Sequence, residues 1–334
     1  MAGLLVHVAL IIPTHNRHRL LIRTMPYYLK LKGVEEIIIV DDCSKDQTPS
    51  YIRSLNRRDS RICYLRMEKR SGPHHCRNLG IAHLSKTIDH VILGEDDVIM
   101  PPDYVSSLLS SMHRLGSDII AGRLLSLDAH EDFEECSSRY AHYLKQIRQL
   151  STEPPLVNKR AVQGNFFLDS VSPAPFVHAC SLVKRSVVDK IRFDGHYRFG
   201  YFREETDFYI DARMKGFRIH YDGSCVCYHM TMLLERLSGG GRNLGLRLPH
   251  RVASLVERIG FPRIVFDVIN NNYFLDKYYH YLKRELRYEH CKRYYKVEFV
   301  LCWLKRDLRI LSNFLESLVA KRDVAWKDLM LWAD

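Results

Sequence analysis

The chain has 334 residues, 46% hydrophobic and 27% charged, with 50 Lys and Arg against 39 Asp and Glu for a formal charge of +11. This composition is ordinary for a soluble globular protein and allows one large core, or one core with an appendage. No stretch approaches the roughly 18 consecutive apolar residues that a membrane span needs, and Met1-Ala2-Gly3-Leu4-Leu5 lacks the basic start and small-residue cleavage site of a signal peptide. Nine cysteines, an odd number without a C-x-x-C pair, read as reduced thiols of a cytoplasmic protein.

From the N-terminus, Val8-Ala9-Leu10-Ile11-Ile12 is a buried-type strand stopped by Pro13, and Thr14-His15-Asn16-Arg17 leads into an amphipathic stretch from about 18 to 31. A second strand, Glu36 to Val40, ends in Asp41-Asp42-Cys43-Ser44, and Thr48-Pro49 opens a helix to about Leu55. Arg61 to Leu65 is a third strand, and Ser71-Gly72-Pro73 starts a helix that runs through Arg77 to Ala82. The fourth strand, from Val91, runs straight into Gly94-Glu95-Asp96-Asp97. Three adjacent carboxylates cannot follow a strand into the core unpaired. They belong at its C-terminal end, where an open parallel sheet has its ligand crevice. In a basic chain, acids there suggest a hard divalent cation held against phosphate oxygens; an acidic turn capping the helix after Pro102 has the same letters.

Alternation of strand and helix at this spacing predicts an α/β fold, an open and mostly parallel sheet flanked by helices. Thr14 and Asn16 follow the first strand, Asp41 and Asp42 the second, and the acids the fourth, so all fall along one sheet edge. In order and spacing, Pro13 to Arg17, Val40 to Ser44, Arg77-Asn78-Leu79-Gly80-Ile81-Ala82 and Gly94 to Asp97 resemble family 2 glycosyltransferases of the GT-A fold, a likeness covering residues 7 to about 230. It implies a catalytic domain over 1–235, its nucleotide-sugar half ending near 125 and its acceptor half spanning about 126–235, then a helical basic region over 236–334. It implies that Asp41 and Asp42 read the base and ribose of a UDP- or GDP-sugar and that Arg77 approaches the diphosphate. Pro13, Thr14, Asn16 and Asp96 would line the same donor. The acidic triplet would supply the family's D-x-D ligands to Mg²⁺ or Mn²⁺. Glu95 stands where the first Asp is usual, leaving Asp97 as the surer ligand, and His229 matches a position where relatives place a metal- or diphosphate-contacting imidazole. Beside these roles, Asp42 also reads as a helix N-cap and Arg77 as a surface ion pair.

Between about 120 and 175 the pattern loosens; Ala161 to Leu168 looks strand-like, and Phe176 to Lys184 is a strand running into a basic turn. Tyr201-Phe202-Arg203-Glu204-Glu205-Thr206-Asp207 opens a helix that Gly216 stops. It resembles the family's E-D-x-D-L element, which carries the general base to Glu205, with Glu204 as the neighbouring candidate. Transfer to a hydroxyl needs a carboxylate within hydrogen-bond reach to take the proton, and two adjacent acids raise one another's pKa. An acidic helix N-terminus favoured by the macrodipole gives the same pattern. Phe217 to Tyr221 and Cys225 to His229 read as two strands, and the glycines at 239–241 form either a hinge that lets Arg242 close over the diphosphate or a plain linker.

From Pro249 onward the chain looks helical, with Tyr, Leu, Lys and Arg interleaved. Basic amphipathic helices with aromatic edges suit a peripheral contact with the inner face of a membrane through residues 250–334; packing on the catalytic domain or a dimer contact are equal readings. The sequence therefore leads to an inverting, metal-dependent glycosyltransferase acting on a glycan or lipid-linked acceptor, with no nucleic acid partner. The competing readings are a sugar nucleotidyltransferase, whose Gly-rich first loop is replaced here by Pro13-Thr14-His15-Asn16, and a non-enzymatic basic module for nucleic acid or membrane surfaces.

Overall fold

The structure, a computed structural model, describes residues 6–128, 131–150, 168–197, 201–230, 261–286, 290–301 and 304–305. The first half of the chain carries β1 (Val8–Thr14), α1 (His18–Tyr28), β2 (Val34–Asp41), α2 (Thr48–Asn56), β3 (Ile62–Arg66), α3 (Pro73–Ala82), β4 (His90–Leu93), β5 (Val98–Ile99), α4 (Tyr104–Leu115), β6 (Ile119–Leu127) and α5 (Phe133–Leu150). The second carries β7 (Val171–Pro173), β8 (Ser181–Lys184), α6 (Arg185–Val188), α7 (Glu204–Met214), β9 (Ile219–Met230) and α8 (Phe261–Glu285). The chain divides into two compact units. One comprises residues 1–158, 163–196 and 204–241; the other comprises 159–162, 197–203 and 242–334.

The first unit is an open nine-stranded sheet with the order β3-β2-β1-β4-β8-β6-β9-β5 and β7 beside β9. β1, β2, β3 and β4 pair in parallel. β8 enters antiparallel to both β4 and β6, which makes the second half mixed. The near-continuous apolar runs of β1 and β2 follow from this placement, because a parallel strand is covered on both faces; all seven residues of β1 are buried. Leu10, Ile12, Ile37, Ile39, Ile92 and Leu182 meet α1 residues Leu21, Met25 and Tyr28 in the main core.

Two strands depart from their sequence reading for identifiable reasons. β1 passes through Pro13 to Thr14. Ile11 accepts the Gly94 N–H and Thr14 accepts the Asp42 N–H, so by the two-residue period Pro13 faces β4. The β4 ladder has already ended at Leu93, and the missing donor costs nothing there. Residues 217–229, expected as two strands, form the single strand β9 from Ile219. Gly223-Ser224-Cys225, just after Asp222, is a bulge within it: the register on β6 jumps from Gly122–Asp222 to Arg123–Val226. Asp222 is fully buried there, accepting from Ser111 Oγ at 2.6 Å, Arg114 Nη2 at 2.9 Å and Ser224 N at 2.9 Å.

The loosely patterned region after 120 holds β6 and α5. The helix starts at a capping box: Asp132 accepts the Glu134 and Glu135 N–H groups at 2.8 Å, and Glu135 accepts the Asp132 N–H at 3.1 Å. Of the strand expected over 176–184 only β8 is regular, and most of the one expected over 161–168 lies outside the described residues. In the second unit, α8 packs Phe274, Leu275, Tyr278 and Leu282 inward. Residues 292–301 are also helical. Among the described residues no helix is long and apolar enough to cross a membrane.

Candidate active site

The loops after β1 and β2 are laced to one another before they offer anything to a ligand. Asn16 and Cys43 both sit in the left-handed region, at φ 53 and 60, where asparagine is tolerated and other side chains cost energy. The Asn16 N–H donates to Ser44 Oγ at 2.8 Å, and its Oδ1 accepts the Lys45 N–H at 2.7 Å. Asp41, fully buried at the end of β2, accepts from Ser44 N at 2.8 Å and from Tyr64 Oη and Arg66 Nη1, each at 2.9 Å. Asp42 accepts the Ser71 N–H at 2.6 Å and the Gly72 N–H at 2.9 Å, tying the end of β2 to the start of α3. His15, which the sequence reading passed over, bonds through Nδ1 to the Asp42 carbonyl at 2.6 Å.

The acidic turn between β4 and β5 is pinned from α1. Tyr28 Oη donates to the Glu95 and Val98 carbonyls at 2.5 Å, and Thr24 Oγ1 donates to the Asp96 carbonyl at 3.2 Å. Thr14 Oγ1 reaches across from β1 to Asp96 Oδ2 at 2.7 Å. Burial raises the Asp96 carboxyl, Arg17 opposes and Asp97 adds, and the balance pushes it up to about 6.

Asp97 and His229 face each other because β5 and β9 are antiparallel, with Val98 opposite His229. Their Oδ2 and Nε2 lie 3.6 Å apart. Burial works to lower the His229 pKa, but the Asp97 carboxylate, with Glu95 behind it, overrides that and pushes it up to about 9. The same pairing holds Asp97 below the ordinary carboxylate value in spite of its burial. Asp97 would offer a carboxylate oxygen to Mn²⁺ or Mg²⁺, and His229, on losing its proton, an imidazole nitrogen that suits Mn²⁺ better than Mg²⁺; diphosphate oxygens and water would supply the remaining donors. Among the described residues no cluster of three or more His, Cys, Asp and Glu is arranged to hold a metal. Glu95 is turned instead toward Arg77, whose Nη2 lies 3.6 Å from its Oε1.

Arg77, on α3, joins the acidic turn to the start of α7. Its side chain is 2% exposed; Nη1 donates to Glu204 Oε1 and Nη2 to Glu205 Oε1, the latter at 2.9 Å. His74, three residues earlier and so on the same helix face, approaches Glu204 Oε2 through Nδ1 at 3.2 Å. The two adjacent acids are thereby separated in environment. The Glu204 side chain is 5% exposed and gripped from two sides, whereas that of Glu205 is 28% exposed. Burial raises the Glu205 pKa, Arg77 pulls it down and Glu204 raises it again, for a net rise. Burial, then Glu205 and Asp97, push Glu95 well up.

The candidates therefore fall into four sets: Asn16, Asp41 and Asp42 in the loops after β1 and β2, Thr14 with Asp96, Asp97 with His229, and Glu95, Arg77, Glu204 and Glu205 together. Pro13 stands opposite Val40 in the sheet, and Arg242 lies outside the described residues. His178, on the strand-like stretch before β8, bonds through Nε2 to the Gly122 carbonyl at 2.8 Å and is lowered by burial to about 4, a neutral core histidine. His74, absent from the candidates read from the sequence, joins the Arg77 cluster through Glu204, and its i, i+3 spacing from Arg77 is the signal that could have found it.

The chain is 27% identical over 243 residues to the succinoglycan biosynthesis protein ExoU of Rhizobium meliloti (strain 1021), a match covering 72% of this chain and 66% of that protein. It is 20% identical over 197 residues to the glycosyltransferase GlyG of Streptococcus pneumoniae serotype 4, covering 58% and 61% respectively. The matches thus span less than two thirds of the length of either relative. Among solved structures, GalNAc-T7 with UDP, GalNAc and Mn²⁺ superposes with a TM-score of 0.50 at 13% identity, over 69% of this chain and 44% of that one. At that identity the likeness speaks for the fold, which is of the GT-A type. The model of glycosyl transferase family 2 matches residues 9–192, more than half of the chain, and the chain belongs to that family.

Proposed function

We propose that the protein transfers a sugar from a UDP- or GDP-sugar to a hydroxyl or phosphate oxygen of a glycan or lipid-linked acceptor, with inversion, in polysaccharide assembly. The observation that carries this reading is the Arg77 bridge, which brings the acidic turn after β4 and the first turn of α7 into one cluster. Donor-handling acids and a candidate base are then neighbours, as direct displacement requires.

Glu205 is the base in this reading. It is the more exposed of the two adjacent acids, and its raised pKa favours proton uptake from an acceptor hydroxyl as attack begins. Glu204, buried against Arg77 and His74, is an anchor. Asp42 keeps lone pairs for ribose or base beyond its two backbone bonds, and Pro13, Thr14, Asn16, Asp41 and Asp96 shape the donor side. Asp97 and His229, with Glu95 adjoining, would hold Mg²⁺ or Mn²⁺, which when bound supplies charge stabilisation to the leaving diphosphate. Arg242 is proposed as a further diphosphate contact. We also propose that residues 250–334 meet the inner membrane surface: Tyr294, Val297, Leu301 and Leu304 are exposed at helical spacing beside Arg293 and Lys296.

The test is a thermal-shift titration with UDP and GDP, with and without Mn²⁺. A ligand at a hundred times its Kd stabilises by about 2.7 kcal/mol. A Mn²⁺-dependent shift with one nucleotide, abolished by Asp97→Ala, is expected. No metal-dependent shift with either nucleotide would overturn the reading.

A further inference from the structure

Arg77 is an expensive residue to keep where it is. A guanidinium almost wholly removed from water costs several kcal/mol in desolvation, and its attraction to partners offsets that only with good geometry. Its plane is fixed by more than charge. The guanidinium carbon lies 5.3 Å from the Phe193 ring centroid, and Phe193 in turn stacks on Phe208 of α7 at 4.4 Å and 11°. Each end of the fork has a carboxylate from α7, and Nη2 also faces Glu95 from the acidic turn. A rigid fork divides its donors between fixed directions in a way a lysine ammonium does not. The result is that one oxygen of Glu205 is held while the side chain stays partly open to solvent. Glu95 and Glu205, which repel, are kept side by side by the cation between them.

We infer that Arg77 is the positioning residue of the base, fixing the Glu205 carboxylate beside Glu95, and that it is not a ligand of the donor diphosphate. The guanidinium has both terminal nitrogens committed to carboxylates and almost no exposed surface to offer phosphate. Glu204 is the counterweight: held by His74 and Nη1, it sets the fork so that Nη2 points at Glu205. The inference rests on the reading of Glu205 as base.

The experiment is a double-mutant cycle of Arg77→Lys and Glu205→Gln, with kcat measured on a UDP- or GDP-sugar and Kd for the matching nucleoside diphosphate measured separately. Misplacing a reacting group by about 1 Å costs on the order of 100-fold. Arg77→Lys is therefore expected to lower kcat by about 10- to 100-fold with nucleotide Kd within about twofold, and to have no further effect in the Glu205→Gln background. A Kd weakened by about tenfold or more with kcat retained would identify a diphosphate ligand and overturn the inference, as would an equal loss of kcat in both backgrounds. If Glu205→Gln alone turns over normally, the assignment of the base has failed instead. Should the Lys variant not fold, Glu204→Gln removes the opposite anchor with little change of shape. The same loss of kcat at constant Kd is expected from it, and an unchanged kcat would overturn the inference.

Discussion

Replacing Asp41 tests whether the loops after β1 and β2 are held together by its buried carboxylate. Its carboxylate takes three donors: the Ser44 N–H, Tyr64 Oη and Arg66 Nη1. Arg66 also donates to the Ser44 carbonyl at 2.8 Å, and Ser44 Oγ accepts the Asn16 N–H, so one buried acid ties the ends of β1, β2 and β3. Asp41→Ala strands the Ser44 N–H in a buried position, which costs about 1–3 kcal/mol. It also removes a charge-assisted bond from Arg66, whose side chain is 36% exposed and can turn to water, so only about 1 kcal/mol is added there. The total is about 2–4 kcal/mol. Asp41→Asn keeps an acceptor for Ser44 but turns an amide toward Arg66, and should cost about 1–2 kcal/mol. Urea unfolding of the three proteins, with equal m-values, gives both differences. A loss under about 1 kcal/mol for the Ala variant would refute the clamp.

A methyl group on Gly122 would lie 2.1 Å from the Cys225 carbonyl in the β9 bulge; Gly122→Ala should cost at least about 1–3 kcal/mol of stability, and an unchanged melting temperature would mean the bulge sits elsewhere. In its proposed role as base Glu205 must be ionised, and its pKa is raised, so kcat/KM should fall as pH drops through a value above that of an ordinary glutamate. Glu204→Gln removes a carboxylate that raises the Glu205 pKa, so the acid limb should move to lower pH; an upward shift would contradict the electrostatic account.

Much of the fold was legible because buried parallel strands are nearly pure apolar runs and βα turns collect the polar residues. β1 to β4 and the helices between them follow from that signal alone. The second half resisted because its signals conflict. Asp222-Gly223-Ser224 has turn composition, yet Ser111 and Arg114 from α4 satisfy the acid and let β9 continue through it. β8 was legible only as the end of a longer run from Phe176: it is four residues long, and its partners on both sides are distant in sequence, so no local signal marks where the ladder begins. The start of α5 was readable as Asp132-x-x-Glu135, a box masked by the surrounding acids. Within the site, residue types and the common edge could be read from the sequence, but which acid is buried and which exposed could not. Glu204 and Glu205 are neighbours with the same chemistry; only the position of α3, with His74 and Arg77 on one face, distinguishes them.

The most direct measurement is turnover by Glu205→Gln alongside its affinity for the nucleotide donor. Removing a general base slows the chemical step by about 10²–10⁴-fold, while a side chain that meets the acceptor and Arg77 but not the donor leaves donor Kd within about twofold. A variant that binds donor normally and scarcely transfers sugar is the predicted result. Wild-type turnover from that variant would mean that the proton goes to some other group and that the cluster around Arg77 is structural.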